Sequence, residues 1–435
     1  MIMIRNVLLP AGKSFKKVNV IFNETIQQIG PNVQADESIT LEYDFSDCII
    51  IPGAVDMHTH MLQGGKNDAK NLSQYTLSAL KGGFTTLAEM PYISDKPLIR
   101  TQDLDYYSAI INKHAFCNVA LWGQCDYADY PYHLNRIYEL WSAGVIGFAL
   151  THPSSNHLLE DMSYEDIMGL FDTIYDTDIS FAFQGFDGED NVTASDSNNL
   201  LIEKRLIAIR KLLRRLQDSP LHFIGINDKV SIDLLNIAFR RADLTYAFPI
   251  AELIPVITRF KQQGYIKDET FSEYVKLLFD SMKNGKLYTL STEVGHEYKN
   301  ADPVMKLAYS GYPEHLLQWS VPWVFSELWK NGRASIQSCI RMMCENPAKR
   351  IGLFPQKGCI QKGSDADITI IDPNAQVLSD ISDESGEKIV LSCAVKAVFL
   401  NGELTIPADE KIKPKGTFVK RSGTTRRRSS SSCWN

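Results

Sequence analysis

The residues with the clearest potential for chemistry are two histidines separated by a single residue. They end the segment Pro52–His60, in which a Pro-Gly turn precedes a short apolar run. In an extended strand, side chains at positions i and i+2 point to the same side. His58 and His60 can therefore bind one metal ion together at the end of a strand.

A strand with this role needs a scaffold, and the surrounding sequence predicts an α/β one. Between residues 53 and 354, short apolar runs alternate with amphipathic segments, which is typical of a parallel sheet covered by helices. The runs are Ala54–Met57, Thr85–Met90, Asn118–Trp122, Val145–Leu150, Ile179–Phe183, Leu221–Ile226, Leu244–Phe248 and Leu287–Leu290. Eight strands alternating with helices over about 300 residues predict a TIM (β/α)8 barrel.

The two chain ends have a different pattern. Residues 1–52 alternate short β-rich runs with turns, and the chain returns to short strands after Phe354. The segment 415–435 is basic and rich in serine, with little apolar surface to bury, so we expect a disordered tail. One interpretation of this tail is a localisation or phosphorylation signal. The interpretation that we favour is an untethered end.

Composition excludes several classes of function. The 435 residues carry a net charge of −7, which argues against a nucleic-acid-binding protein. No apolar run has the length of a membrane span, and the first residues lack the three-part form of a signal peptide. The eight cysteines form no CxxC pair, so a zinc knuckle is not indicated. We expect a cytoplasmic protein with no nucleic-acid or membrane partner.

Further motifs resemble those of a known family. The run Gly82–Pro91 contains a Gly-Gly pair, a Thr-Thr pair and a final Glu-Met-Pro turn. The segments Cys344–Lys349, Gly352–Gly358 and Gly363–Asp367 form a turn-rich block further along the chain. Together with the Pro52–His60 opening, these motifs resemble the amidohydrolase superfamily, in particular its cyclic-amide branch of dihydroorotases, allantoinases and dihydropyrimidinases. The resemblance covers nearly the whole chain.

The resemblance implies a fold and a site. The fold would combine the barrel, residues 53–354, with a small composite β-sandwich built from residues 1–52 and 355–414. The site would be a binuclear metal centre at the C-terminal ends of the barrel strands. In the family this centre takes two histidines from strand one and a carboxylated lysine from strand four. One histidine each from strands five and six and an aspartate from strand eight complete it. The metals activate a water that attacks an amide carbonyl, and the aspartate transfers the proton.

Only the first part of that ligand set is matched in this sequence. His58 and His60 take the positions of the first pair. The positions of the lysine and of the two later histidines hold Ala149, Gln184 and Gly225. We therefore expect no carbamylated lysine and no binuclear centre of the family's type.

Other residues are candidates for the missing roles. Glu293 follows the eighth strand, where chemistry is expected, and can supply a third metal ligand or the proton-transferring carboxylate. We favour reading the loop candidates as solvated residues. They are His152, His157, Asp187, Glu189, His296 and Glu297. Gln184 and Glu89 are the predicted substrate-binding residues, and His222 is predicted to be a hydrogen-bonded histidine of the barrel.

Two functions remain open at this stage. The first is a divergent dihydroorotase- or allantoinase-like hydrolase that cleaves a C–N bond of a cyclic amide. Its water would be bound to one divalent metal, zinc, held by His58 and His60, with Glu293 as the catalytic residue. The second is a catalytically inactive homologue that serves as a binding or assembly subunit. The expected assembly is a homo-oligomer or a pairing with an active relative.

Overall fold

The computed structural model describes residues 1–91, 94–154, 156–187, 198–215, 220–239, 243–263, 268–295, 313–382, 386–407 and 412–425. The chain begins with five strands of a β unit that lies beside the barrel. They are β1 (Ile2–Ala11), β2 (Ser14–Phe22), β3 (Ile26–Gly30), β4 (Leu41–Asp44) and β5 (Ile49–Pro52). Strand β1 pairs antiparallel with β2 and parallel with β4 and β5.

The next strands form the predicted parallel barrel. They are β6 (Ala54–His60), β7 (Phe84–Glu89), β8 (Asn118–Leu121), β9 (Gly123–Gln124), β10 (Phe148–His152), β11 (Phe181–Gly185), β12 (Leu221–Phe223), β13 (Leu244–Pro249), β14 (Thr289–Ser291) and β15 (Val294–Gly295). Strands β8 and β9 are the halves of barrel strand three, and β14 and β15 are the halves of strand eight. The ring closes where β15 pairs parallel with β6. All eight apolar runs predicted as strands are confirmed.

Helices cover the outside of the barrel. The described ones are α1 (Asp68–Lys81), α2 (Thr101–His114), α3 (His133–Ala143), α4 (Tyr164–Ile174), α5 (Asn198–Arg215), α6 (Lys229–Ala238), α7 (Ile250–Gln263), α8 (Glu269–Lys283), α9 (Pro313–Trp323), α10 (Ile336–Ile340) and α11 (Asn346–Arg350). Ser163, Asp228 and Asp268 begin three of them by accepting a hydrogen bond from a first-turn amide. None of the described helices is long and apolar enough to cross a membrane.

The C-terminal strands complete the β unit, as predicted. They are β16 (Ile368–Asp372), β17 (Val377–Ser382), β18 (Lys388–Leu391), β19 (Ala394–Leu400) and β20 (Glu403–Ile406). Strand β16 pairs antiparallel with β5, so both chain ends share one eight-stranded sheet. The rings of Phe22 and Tyr43 both contact Phe399, which places N-terminal and C-terminal side chains in one core. Strands β17 and β18 form a separate hairpin.

The end of the chain differs from the expected disordered tail. Residues 415–425 lie along the barrel, on the side where its strands begin. The Val119 amide donates to the Thr417 carbonyl at 2.9 Å, and the Val419 amide donates back to the Val119 carbonyl at 2.9 Å. The guanidinium of Arg421 lies 3.7 Å from the centre of the Trp141 ring. The tail prediction is therefore wrong for this stretch, and residues 426–435 lie outside the described residues.

Candidate functional site

The two histidines of the opening motif lie where β6 ends, at the C-terminal mouth of the barrel. Both are buried, because β7 and β15 flank β6 on its two sides. The Nε2 atoms of His58 and His60 are 2.7 Å apart, and the two rings meet edge to face. The i, i+2 spacing thus brings both imidazoles to one point, as the sequence predicts.

The other ring nitrogens point away from this common point. His60 Nδ1 lies 2.7 Å from the carbonyl oxygen of Met90, which can only accept a hydrogen bond. The proton of neutral His60 therefore sits on Nδ1, and its Nε2 carries a lone pair. His58 Nδ1 lies 3.4 Å from Glu293 Oε1. Two facing Nε2 atoms at hydrogen-bond distance need a proton or a cation between them.

Glu293 reaches the site from a break in barrel strand eight. Its backbone has a φ of +52°, a left-handed conformation that separates β14 from β15. Its Oε1 accepts hydrogen bonds from the Gly225 amide and the Ser291 hydroxyl, each at 3.2 Å. The carboxylate is fully buried. The structure therefore brings together the two histidines and the glutamate that the sequence singled out.

Asp56 is a part of the site that the sequence analysis missed. Its carboxylate accepts the His58 amide at 3.0 Å and the Thr292 amide at 3.0 Å, and so ties β6 to the break in strand eight. Burial raises the pKa of Asp56 to about 6, against the hydrogen bonds from Thr292 and His58 that lower it. One feature of the sequence could have identified Asp56: it lies two residues before His58 and therefore on the same face of the strand.

Glu89 has a different position from the predicted substrate-binding one. It is fully buried, and its two oxygens accept hydrogen bonds from the Thr59 hydroxyl at 3.0 Å and from the Met61 and Leu62 amides at 2.8 Å. These contacts hold the loop that follows the histidine pair. Burial raises the pKa of Glu89 to about 8 in spite of the three hydrogen bonds. Glu89 thus fixes the backbone that directly follows the histidine pair.

The other family ligand positions carry side chains without metal-binding groups. Ala149 is buried in the barrel interior. Gln184 lies at the end of β11 beside Gly225, where a Cβ atom would lie 3.1 Å from Gln184 Nε2. Burial lowers the pKa of the neighbouring barrel histidine, His222, whose Nδ1 lies 2.8 Å from the Thr245 hydroxyl. Gln184 thus borders the histidine site, whereas His222 is bonded within the barrel.

The loop candidates are spread over the mouth of the barrel. His152 Nδ1 lies 3.3 Å from Asp161 Oδ1, and His157 is exposed. Asp187 forms an ion pair with Lys211 at 3.0 Å. Three further candidates lie outside the described residues. They are Glu189, His296 and Glu297.

Whether a metal ion fits the histidine site depends on how many side-chain nitrogen and oxygen atoms can bind it there. The Nε2 atoms of His58 and His60 converge, but Glu293 contacts the opposite nitrogen of His58 and adds no donor at that point. No group of three or more His, Cys, Asp or Glu side chains within the described part of the chain is arranged to hold an ion. A catalytic zinc normally has three protein ligands. The described residues therefore do not fit a catalytic metal.

A cavity lies beside the position that the family's lysine would occupy. Ala149, Gln124 and Asn156 are among the residues that line it, between the ends of strands three and four. Its volume is about 20 Å³. That is room for about one water molecule, whereas small-molecule sites usually measure 300–1,000 Å³. This cavity is therefore too small for a ring substrate.

Comparisons with known proteins agree with this architecture. Residues 319–405 match the model of the amidohydrolase family, and residues 47–131 match a dihydro-orotase-like model. An L-hydantoinase of Paenarthrobacter aurescens is 25% identical over 81% of this chain and 80% of its own length. An allantoinase of Streptomyces avermitilis is 24% identical over 95% and 97%. A dihydroorotase of Elusimicrobium minutum is 26% identical over 75% and 77%.

Solved structures share the fold. The L-hydantoinase from Arthrobacter aurescens superposes with a TM-score of 0.77 at 18% identity, over 97% of this chain and 99% of its own. A D-hydantoinase superposes with a TM-score of 0.78 at 18% identity, over 98% of this chain and all of its own. The predicted barrel with its composite β unit is therefore confirmed.

Proposed function

We propose that this chain, which resembles the cyclic-amide branch of the amidohydrolase superfamily in sequence and in fold, is a catalytically inactive homologue. It would serve as a binding or assembly subunit and pair with an active relative in the cytoplasm. The observation that carries this proposal is the position of Glu293. Its carboxylate contacts Nδ1 of His58, on the far side of the ring from the point where the two Nε2 atoms meet.

The energetic argument concerns the number of donors. Two imidazoles hold a divalent ion weakly, and a metal ion needs a well-formed site to generate a nucleophile from water at neutral pH. The third strong donor, Glu293, instead lies 3.4 Å from Nδ1 of His58 and accepts a hydrogen bond from the Gly225 amide. Ala149 offers no atom on which a bridging carbamate could form. These features support a protein that has the barrel fold of the catalytic relatives but no catalytic metal site.

One observation supports a second candidate function. Both Nδ1 atoms face an acceptor, the Met90 carbonyl for His60 and the Glu293 carboxylate for His58. This is how metal-binding histidines are usually oriented. A divergent hydrolase of cyclic amides that binds one zinc ion is therefore the alternative. It would need a third ligand from residues that the structure does not describe.

Metal content and turnover separate the two candidates. We expect purified protein that is incubated with zinc and then dialysed to retain much less than about one ion per chain, because a stable site needs about three ligands. We also expect no hydrolysis of hydantoin, dihydroorotate, dihydrouracil or allantoin. The L-hydantoinase of Paenarthrobacter aurescens is the positive control. One tightly bound ion that the double variant His58→Ala/His60→Ala removes, together with turnover of one of these rings, would contradict the inactive-homologue proposal.

The partner is tested separately. The full chain is co-expressed with an active relative of the same fold, and the complex is measured by size-exclusion chromatography with light scattering. We expect a defined hetero-oligomer, or a homo-oligomer when the relative is absent. A strictly monomeric chain that leaves the relative's assembly unchanged would argue against the assembly role.

A further inference from the structure

Three asparagines of this chain directly precede a glycine, and each of these pairs lies in a turn. The pairs are Asn284-Gly285, Asn331-Gly332 and Asn401-Gly402. Such an asparagine can lose its side-chain amide, because the backbone nitrogen of the next residue can attack the side-chain carbonyl carbon. Glycine has no side chain that hinders this attack. The contacts of each turn therefore decide which of the three asparagines can react.

Asn284 and Asn331 are closely matched in sequence and in backbone. Residues Lys283–Lys286 read Lys-Asn-Gly-Lys, and residues Lys330–Arg333 read Lys-Asn-Gly-Arg. Both asparagines are exposed and end a helical segment with a φ of −86°, and their ψ values are 0° and 9°. The glycines that follow have φ values of +68° and +70°. A difference in reactivity must therefore come from hydrogen bonds.

The turn at Asn331 is held by hydrogen bonds at both reacting groups. Asn331 Nδ2 donates to the Ser326 carbonyl and to the Glu327 carboxylate, each at 3.2 Å. The amide of the next residue, Gly332, donates to the Trp329 carbonyl at 2.9 Å. The side-chain amide and the nitrogen that would attack it are thus both engaged.

The turn at Asn284 lacks these restraints. The Asn284 side chain has no hydrogen-bond partner among the residues that the structure describes. The Gly285 amide lies 3.4 Å from the Met282 carbonyl oxygen, which is long for a hydrogen bond between these groups. A Cβ atom on Gly285 would meet nothing within 4 Å, so the turn has room to rearrange. Both reacting groups of this pair are therefore available.

Asn401 is held by the surrounding backbone as well as by side chains. Its Oδ1 accepts a hydrogen bond from Asn118 Nδ2 at 3.1 Å, and its backbone amide donates to Asp367 at 2.8 Å. A Cβ atom on Gly402 would lie 1.9 Å from the Asn23 carbonyl oxygen. The peptide group that would have to rotate is thus packed against another part of the sheet.

We propose that Asn284 is a site of spontaneous deamidation in the folded protein, with water as the co-reactant. The Gly285 nitrogen forms a bond to Cγ of Asn284, the bond from Cγ to Nδ2 breaks, and the Gly285 amide proton leaves with this nitrogen as ammonia. Water then opens the succinimide ring at either carbonyl and gives aspartate or isoaspartate. The site lies in the turn between α8 and β14, and the proposal does not depend on the proposed function.

The reaction changes the charge at the end of α8. Each event replaces a neutral amide by a carboxylate, so the modified chain separates from the unmodified one by ion exchange. The new charge lies at the C-terminal end of the helix, where the helix dipole disfavours negative charge. The isoaspartate product also adds a methylene group to the backbone of the turn that leads into barrel strand eight.

The test is the rate of deamidation at each pair in the full, folded chain. The protein is incubated at mildly alkaline pH in water labelled with heavy oxygen, and the digested peptides are quantified by mass spectrometry. We expect labelled aspartate and isoaspartate at residue 284 to form at least about tenfold faster than at residue 331, because two hydrogen bonds of Asn331 must break first. We expect residue 401 to be slower than residue 284 as well.

The denatured chain is the matched control. In guanidinium chloride the turns lose their hydrogen bonds, so the rates at the two Lys-Asn-Gly sequences should agree within about twofold. The variant Asn284→Ser should remove the fast reaction of the folded chain and leave the rates at the other two pairs unchanged. Circular dichroism before and after incubation shows that the chain is still folded.

Three outcomes would overturn the proposal. The first is a rate at residue 331 or 401 that equals or exceeds the rate at residue 284 in the folded chain. The second is a preference for residue 284 that persists in guanidinium chloride, since the local sequence and not the fold would then set the rate. The third is a folded chain that does not react at residue 284 while the denatured chain does. Zinc content, ring hydrolysis and assembly enter none of these measurements, so failure here is distinct from failure of the proposed function.

Discussion

Glu293 combines a strained backbone with a buried carboxylate. Its φ of +52° lies in the left-handed region, which costs a residue other than glycine about 1 kcal/mol. Its carboxylate contacts His58, Gly225 and Ser291 from a fully buried position. The strain persists because these contacts hold the residue in place. The side chain and the backbone of this residue therefore have opposite effects on stability.

Two substitutions separate these effects. Glu293→Ala removes the acceptor of the Gly225 amide and keeps the strain, so we expect a loss of about 1–3 kcal/mol in the free energy of unfolding. Glu293→Gly removes the same acceptor but relieves the strain, so its loss should be smaller by about 1 kcal/mol. Urea denaturation of the two variants gives both values. A glycine variant that is less stable than the alanine variant would show that the backbone is not strained.

Glu89 gives a prediction about pH. Its pKa is about 8 in the folded protein against an ordinary value of 4.5, because burial favours the neutral acid. Between these two values the folded state binds more protons than the unfolded state, so stability falls as pH rises. Glu89→Gln mimics the neutral acid. We expect the free energy of unfolding of the wild type, relative to that of this variant, to fall from pH 5 to pH 8. A constant difference would contradict the shifted pKa.

The sequence could predict part of the site at this scale. Strand alternation places His58 and His60 together, and the barrel topology places Glu293 near them, because strand ends meet at one face. The atom that Glu293 contacts could not be predicted, since it depends on a left-handed residue inside strand eight. The role of Asp56 was missed because a buried carboxylate in an apolar strand becomes informative only when its amide partners are known.

At the scale of elements, the C-terminal segment shows why its amino-acid composition wrongly predicted a disordered tail. Residues 415–425 contain few apolar side chains, so burial could not be expected from their types. The segment binds chiefly through its backbone, with hydrogen bonds to residues Ala115, Val119 and Gly144. A Cβ atom on Gly416 would lie 1.9 Å from the Cys117 carbonyl oxygen. Close backbone approach of this kind is specified by glycine and leaves no periodic signal.

Removing the segment should destabilise the barrel. A chain that ends before Lys415 loses these hydrogen bonds, so we expect Tm to fall by several degrees, on the order of 1–3 kcal/mol. A chain that ends after Thr425 keeps every described contact and is the control for length. The test is differential scanning calorimetry of the two truncated chains.

A point substitution makes the same test without deletion. Gly416→Ala should displace the segment and lower Tm, whereas Gly65→Ala should not, because a Cβ atom on Gly65 meets nothing within 4 Å. An unchanged Tm in both the shortened chain and the Gly416 variant would mean that the segment contributes nothing to stability.

At the scale of the whole molecule, an ion cluster lies between the barrel and the β unit. Lys357 Nζ contacts Asp365 at 2.9 Å and Asp367 at 2.6 Å. Asp367 also accepts the Asn118 side chain, from β8, and the Asn401 amide, from the turn after β19. The cluster therefore links the barrel to the C-terminal part of the sheet. Its aspartates belong to the turn-rich segment Gly363–Asp367.

Loss of the cation should affect the entire fold. Lys357→Met leaves the buried carboxylate of Asp367 and the partly buried one of Asp365 without their partner. We expect a cost of about 3–5 kcal/mol in guanidinium denaturation. Lys388→Met is the matched control, because Lys388 pairs with Asp380 at 2.8 Å on the surface and should cost less than about 1 kcal/mol. An equal loss in the free energy of unfolding for the two variants would show that the cluster does not contribute more to stability than a surface ion pair.

The shared sheet also has a consequence during synthesis on the ribosome. Ile51 of β5 is paired with Thr369 of β16, and the whole barrel is translated between them. At 5–20 residues per second, the edge of β5 remains without its neighbour for tens of seconds. An open apolar edge of this kind recruits other chains. The nascent protein is therefore most vulnerable to aggregation before its last strands emerge, and a chaperone that shields the first fifty residues would govern its yield.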